Sequence, residues 1–399
     1  MGPLHGLRVL DLCTEAGVYC TKLLTDLGAQ VIKVEPLDGS PERRRPPFFK
    51  GDAASSLSFL HYNRNELSVT LGLALDEGRR LFHELVKASD ILVEDGLSPQ
   101  LGLNYDAMRQ INPSLVYASI TGYGSTGPRA GWAYSDLSTQ ATSGSMYRIG
   151  FPEDPPNSMG AEFAYHQASG HATVGILTAV LGRDAGGEGR HVDVSIQESM
   201  SIMQYDALPT YITRGVLIKR AGHGQGSSGK RYRRIWDTKK GLVRFQLVSQ
   251  TSDREWPLLL DWMAESGAGG ELRDERWNDS EERTAHLLEI EAVIDPWFRG
   301  IEARTLMHQG QDRGVMIMAF NTVGDLLDDP QLVDGGFLCD IDYGGEALTD
   351  VGPPYRFSET PAEVAGSVPE LGEHNREVYL GVLGLSDREL SRLEQAGVV

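Results

Sequence analysis

The chain is poor in cysteine and scatters what it has. Cys13, Cys20 and Cys339 are the only thiols in 399 residues, which builds neither a disulfide framework nor a cysteine-rich metal site. Positive charge is also scarce: 37 Lys and Arg stand against 56 Asp and Glu, a formal net charge of −19. Such a surface repels phosphate backbones and anionic headgroups, so nucleic acid and membrane surfaces are not expected partners. No apolar run approaches the ~18–20 residues that span a bilayer. The opening MGPLHGLRVLDL lacks a basic stretch followed by an apolar core, so no secretory signal is expected and the cytoplasm is the expected compartment. No tract is biased and no internal repeat is visible. With 40% apolar and 23% charged residues, the composition is globular, and the length admits two or three domains with a substantial core.

What is present first is a rhythm. LRVLDL (7–12), AQVIKVE (29–35), DILVE (90–94) and SLVYASI (114–120) read as short buried strands. Helical patterns such as YCTKLLTDLG and DEGRRLFHELVKAS lie between them, punctuated by Gly28 and Asp90. This alternation predicts an α/β fold with an open, Rossmann-like parallel sheet covered by helices. From 134 to 212 the pattern is mostly helical, with one strand at HVDVSI (191–196) and an apolar, small-residue helix at GHATVGILTAVLGRD (170–184). Near 220 it changes. AGHGQGSSGK reads as a loop, and RYRRIWDTKKGLVRFQLV as a hairpin turning at Lys240-Gly241, followed by helices near 253–266 and 282–310. From 314 the α/β rhythm is expected to return, with GVMIMAF, a helix at TVGDLLDD, strands near 337–343 and two closing helices. The expected division is 1–215 for a large domain, 225–320 for a smaller α+β domain, and 321–399 rejoining the first.

A set of phrases runs through the whole chain in fixed order: PLHGLRVLDL, LLTDLGAQVIKVEP, SLSFLHYNRN, LNYDAMRQINPSLVYASITGYGSTGP, DLSTQATSG, GILTAVLGRDAGGEGRHVDVSIQES, LLDDPQLVDGGF, GPPYRFSETP and LGEHNREVYLGVLGL. In these phrases the chain resembles the class III CoA-transferases of the formyl-CoA and carnitine type, a superfamily that includes the 2-methylacyl-CoA racemases. The resemblance implies a large domain built from both chain ends, a small domain, and an interlocked pair of subunits. It also implies transfer of CoA from an acyl-CoA thioester to a free carboxylate. An aspartate of the family attacks the thioester, giving a mixed anhydride and then an enzyme-bound CoA thioester.

The family's aspartate lies ten residues before the first glycine of the GILxAL helix. That glycine is Gly175, so the position falls on Tyr165, and its neighbours EFAYHQASG contain no aspartate. A phenol with a pKa near ~10 is a poor acyl acceptor at neutral pH. Tyr165 reads as a packing residue, Glu162 as the nearest carboxylate, and His166 as either a base or a hydrogen-bonded structural residue. The segments that grip CoA in the family also depart, at Glu15, Gly17, Glu66, Leu71, Asp95, Gly96 and Ile196. The loop CTEAGVY places Glu15 toward the expected nucleotide. NRNELS carries Glu66 and Leu67 in place of two cations. EDGLSPQLGL is short, with Asp95-Gly96 replacing Asn-Phe and an arginine missing. A carboxylate facing a pyrophosphate is repelled whatever the dielectric.

Within the family, an aspartate-less subunit is found in succinyl-CoA:(R)-benzylsuccinate CoA-transferase and its arylsuccinate and alkylsuccinate relatives. The resemblance therefore implies a non-catalytic subunit beside a paralogous subunit that carries the aspartate, with CoA thioester and dicarboxylate reaching the complex as substrates and no metal. A self-sufficient homodimer with an atypical nucleophile such as Glu162, and a non-enzymatic binding protein, remain alternatives. Other features carry weaker readings. Gly224, Gly226 and Gly229 match a G-x-G-x-x-G spacing, but a basic hairpin follows where a helix is needed. KRYRRIWDTKK (230–240) is a solvated strand face or an anion-facing surface. ERRRPP (42–47) is a phosphate holder or a loop charge cluster. Asp136 lies where racemase-type relatives carry a His-Asp pair, but Ser135 replaces the histidine, and racemisation needs a group on each side of the α-carbon.

Overall fold

Six short strands form a parallel sheet in the order β3-β2-β1-β4-β5-β6: β1 Arg8–Asp11, β2 Gln30–Glu35, β3 Leu67–Thr70, β4 Ile91–Glu94, β5 Val116–Thr121 and β6 His191–Ser195. The computed structural model describes residues 2–53, 55–96, 102–222, 224–225, 232–247, 252–343, 345–362 and 366–399. Parallel strands are covered on both faces, so they read as apolar runs. Alternate side chains explain how one run serves two cores. Val9, Val31, Ile91, Val93, Val116 and Ala118 face helix α1 (Val18–Asp26) and the long helix Phe163–Gly186. Leu10, Ile32, Val69, Leu92 and Tyr117 face the Asp76–Lys87 helix and the C-terminal segment around Val378, Tyr379, Leu390 and Leu393.

β3 is not among the strands the sequence predicts, where NRNELS reads as a cofactor segment. LSVT offers two apolar residues at a sheet edge, too little pattern to announce a strand. Its pairing with β2 runs Ile32↔Leu67 to Glu35↔Thr70. The C-terminal segment is fastened to it. Asn375 accepts from the Thr70 N–H at 2.9 Å and donates to Thr70 Oγ1 at 2.8 Å, and the Tyr379 hydroxyl donates to the Thr70 carbonyl at 2.8 Å. The large domain is therefore built from both chain ends.

Two compact units divide the chain. One comprises Met1–Ser143, Met159–Met203 and Pro330–Val399, the other Gly144–Ser158 and Gln204–Asp329. Segments 144–158, 204–215 and 321–329 thus belong to the smaller unit, unlike the bounds 1–215, 225–320 and 321–399. Within that unit Arg148 grips Asp206 through two hydrogen bonds of 2.8 and 2.7 Å, and the Gly222 N–H reaches the Gly150 carbonyl at 3.0 Å. The smaller unit holds an antiparallel sheet of β9 (Ile235–Asp237), β10 (Leu242–Arg244) and β11 (Met318–Ala319). The hairpin turns through Gly241, as the sequence suggested. GVMIMAF does not restart the α/β rhythm: its Met318–Ala319 pairs antiparallel with β10. A short apolar run has no period by which to separate the two. The core around this sheet takes five tryptophans: Trp236, Trp256, Trp262, Trp277 and Trp297. In the larger unit β12 (Leu338–Tyr343) and β13 (Glu346–Val351) form a further hairpin.

Candidate functional site

Strand order reverses direction at β1: the chain runs outward through β2 and β3 on one side, and through β4, β5 and β6 on the other. Open α/β sheets bind ligands in the crevice beyond the carboxyl ends of the strands at such a switch point. Here that crevice is made by the loop from Leu12 to Gly17, which enters α1, and the turn after β4 at Asp95-Gly96.

The Leu12–Gly17 loop aims successive backbone N–H groups inward. Those of Thr14, Glu15, Ala16 and Gly17 all donate to one oxygen, Asp95 Oδ2, at 2.9, 2.7, 2.8 and 3.3 Å. The Thr14 hydroxyl reaches Oδ1 at 3.4 Å. Asp95 is buried. Burial raises its pKa, and the N–H groups of Glu15, Thr14 and Gly17 pull it back. Gly96, at φ 105°, turns the chain back on itself, and its N–H donates to Glu94 Oε2 at 2.6 Å. The Tyr134 hydroxyl holds the Asp95 carbonyl at 2.8 Å. At Gly17 a Cβ would collide with the Cys13 sulfur, so glycine is required there by packing.

Glu66 does not face the crevice. It is buried among Asp11, Lys33 and Glu42. Lys33 Nζ lies 3.0 Å from Asp11 Oδ2 and 2.9 Å from Glu42 Oε2. One cation thus pairs with two buried carboxyl groups, and Glu66 lies buried beside them. Burial pushes Glu42 up to about 7 against the pull of Lys33. Burial first, then Asp11, hold Glu66 well above the usual carboxylate range. Burial would lower Lys33, but Asp11, Glu42 and Glu66 outweigh it and raise its pKa. Leu71 and Ile196 are likewise core residues.

The ERRRPP cluster is spent on carboxylates. Arg43 makes a two-pronged pair with Glu35, both bonds 2.7 Å, Arg44 leans toward Asp38 at 3.8 Å, and Glu42 is the buried partner of Lys33. Arg45 bridges Glu162 and, at 3.6 Å, Glu15. The charge cluster is legible in the sequence; the pairing of Arg45 with Glu15 and Glu162, 30 and 117 residues away, is not.

Glu162 caps the long helix in the left-handed region, φ 53°, directly after Ala161 at φ 57°. Two consecutive non-glycine residues there are strained. Asp136 receives the first turn of that helix: its Oδ1 accepts from the Ala164 and Tyr165 N–H groups at 2.8 and 3.4 Å, and its Oδ2 accepts from Gln140 Nε2 at 2.6 Å. The racemase-like position is therefore a helix cap. Tyr165 is 4% exposed, belongs to the same core cluster as Ala16, Ala168 and Val194, and has its ring edge-on to Tyr134. Burial, with Glu15 second, pushes its phenol well above its ordinary value.

His166 is fully engaged. Its Nδ1 donates to the Glu162 carbonyl at 3.0 Å, which leaves Nε2 to accept from the Tyr62 hydroxyl at 2.9 Å. Tyr19 lies against the ring, 4.6 Å between centroids. Burial, then His61, lower its pKa, which favours the neutral imidazole. Neither nitrogen is left to act as a base. Tyr62 and Tyr19 gave no sequence signal.

Of the G-x-G-x-x-G spacing, Gly224 lies in a two-residue pairing of Gly224–Gln225 with Tyr232–Arg233 (β7 and β8), a hairpin rather than a helix start; Gly226 and Gly229 lie outside the described residues. In KRYRRIWDTKK, Lys230 and Arg231 also lie outside them, and Arg233 pairs with Asp295 at 2.6 Å. Among the described residues no group of three His, Cys, Asp or Glu could hold a metal ion, and no helix is long and apolar enough to cross a membrane.

The model of CoA-transferase family III matches residues 4–375. The chain is 32% identical to succinyl-CoA:mesaconate CoA-transferase of Haloarcula marismortui over 392 residues, covering 95% of this chain and 96% of that protein. It is 30% identical to the subunit BbsE of succinyl-CoA:(R)-benzylsuccinate CoA-transferase from Thauera aromatica, covering 98% and 97%. Among solved structures, a CAIB/BAIF family protein from Brucella suis superposes with a TM-score of 0.81 at 28% identity, covering 96% of this chain and 99% of that one. Sheet order, discontinuous large unit and full-length similarity agree: this chain belongs to CoA-transferase family III.

Proposed function

We propose that this chain is the non-catalytic subunit of a heteromeric CoA-transferase. A paralogous subunit carrying the aspartate would perform the exchange, moving CoA from succinyl-CoA to a dicarboxylate such as (R)-benzylsuccinate or a related aryl- or alkylsuccinate. The observation that carries this reading is Tyr165: the position aligned with the family's nucleophile is a phenol in the core, 4% exposed. An acyl acceptor must reach the thioester carbon and be ionised, and Tyr165 meets neither need. Two relatives bear names that describe subunits, BbsE and the beta subunit of succinyl-CoA–L-malate CoA-transferase from Chloroflexus aurantiacus, the latter 30% identical over 409 residues. The dicarboxylate is assigned by that likeness alone.

Uncovered apolar surface supports a second subunit. The long helix exposes two large apolar side chains on its outer side, Leu181 at 72% and Val174 at 65%, alongside His171 and Thr178. In the smaller unit Tyr205, Leu208, Tyr211 and Ile212 are exposed together on one stretch. Exposed apolar patches mark association surfaces, and the interlocked dimer implied by the resemblance would cover them.

A second reading rests on Glu162, a part-exposed carboxylate three residues from Tyr165. Its pairing with Arg45 stabilises the anion but occupies it. The test is expression of the chain alone and with its paralogue. Each preparation is assayed for oligomeric state and for CoA exchange between succinyl-CoA and arylsuccinates. The proposal expects exchange only from the pair, with the acyl adduct trapped on the paralogue. Exchange by this chain alone, abolished by Glu162→Ala, establishes the second reading instead.

A further inference from the structure

We infer that Asp95 decides what the crevice loop can hold: its carboxylate occupies the backbone N–H nest at the start of α1, so the chain excludes a nucleotide phosphate from that nest by filling it with its own anion. This rests on the proposed function's reading of the loop as a lapsed CoA contact.

A concave run of N–H groups leading into a helix is an anion site, and phosphates use it in nucleotide-binding α/β folds. Here the run is present and its donors converge, four on one oxygen between 2.7 and 3.3 Å. Nothing remains for a phosphate. An incoming phosphate would have to break all four bonds while meeting the negative charge of Asp95 and, at the rim, of Glu15. Nor is Asp95 a movable cover. Its carbonyl is held by Tyr134, the next N–H is held by Glu94, and the side chain is buried. The plug is a fixed part of the fold, made from the segment in which an asparagine was expected. The loop keeps its anion-binding shape because an anion is still in it, which explains how the backbone survives without a ligand.

The test is chemical rescue of Asp95→Ala in the full chain, with the partner subunit present if the chain requires it to fold. Removing the carboxylate empties the nest, and a small anion should refill it. Thermal unfolding is compared in sodium formate, sodium phosphate and sodium chloride at equal ionic strength. Formate and phosphate should raise the midpoint of Asp95→Ala by several degrees over chloride and leave wild type unmoved. Titration should show Asp95→Ala binding inorganic phosphate at least about tenfold more tightly than wild type. If Asp95→Ala is folded and responds to all three salts alike, the inference fails. If it does not fold in chloride, it is refolded from urea with and without formate: recovery confined to formate supports the inference, and equal yields overturn it. Asp95→Asn keeps an acceptor oxygen in the nest and should fold without rescue and without gaining phosphate affinity; a gain matching Asp95→Ala overturns it. A nucleotide phosphate seated on these N–H groups of the wild-type chain sinks the inference too. Exchange activity of the wild-type chain alone, with rescue of Asp95→Ala intact, sinks only the proposed function.

Discussion

Two helices in the larger unit begin at a carboxylate lent by another stretch of chain. At α1, Asp95 reaches in from the end of β4 and takes four N–H groups on a single oxygen. At the long helix, Asp136 takes two and divides its oxygens between that helix and its own Gln140. Asp136 satisfies donors of the helix's own first turn, and Asp95 those of the loop leading into α1, so both place negative charge at the positive end of a helix. They differ in what they displace. Asp136 supports a helix start whose first turn buries Tyr165, a packing job. Asp95 fills a concavity at the sheet's switch point, where a ligand would go. The same device builds the scaffold in one place and closes a site in the other.

The comparison can be broken by substitution, beginning with the largest effect. Tyr165→Ala should cost about 4 kcal/mol of folding stability, the cost of emptying a large core site, read by urea unfolding; a cost near that of a surface residue would show the ring is not packing. Asp95→Ala should cost about 3 kcal/mol in chloride, because several buried donors lose their partner at once. Asp136→Ala should cost about 1 kcal/mol, as an ordinary cap does. If Asp136→Ala proves the costlier of the two caps, the distinction between plug and cap is wrong.

Between these falls a pH effect of about 2 kcal/mol, from the buried group beside the crevice loop. Glu42 is raised from 4.5 to about 7 in the folded chain. A carboxyl group raised on folding contributes stability that is complete below its unfolded pKa and lost as pH rises through its folded one. Unfolding free energy should therefore fall between pH ~5 and ~8. Glu66, raised by burial and Asp11, acts in the same direction, and Asp11, Asp95 and Lys33 face the same cluster. Glu42→Gln should flatten the slope, and an unchanged slope would remove Glu42 as its source.

The strands most legible in the sequence were those with both faces buried, such as QVIKVE and ILVE, because a run of branched apolar residues has few other uses in a short segment. The edge strand LSVT and the two-residue strand at Met318–Ala319 were not, since neither carries a period. At the site, the family resemblance is what places the aspartate position on Tyr165, in a stretch whose residue identities the sequence supplies. The sequence marks Glu66 and Asp95 as departures from the family's CoA segments; the structure buries Glu66 among Asp11, Lys33 and Glu42 and turns Asp95 onto backbone N–H groups.

By itself the sequence determined that the chain has an α/β fold of this family, that positions 155–175 contain no aspartate, and that Glu15, Glu66 and Asp95 are carboxylates. Those are facts of residue identity and order. Only the tertiary structure decided where the charges go. Asp95 and the loop it fills are about eighty residues apart, as are Arg8 and Asp90 at the other end of the same strands. A parallel sheet brings such residues together through strand order and register, which no local pattern of amino acids can express.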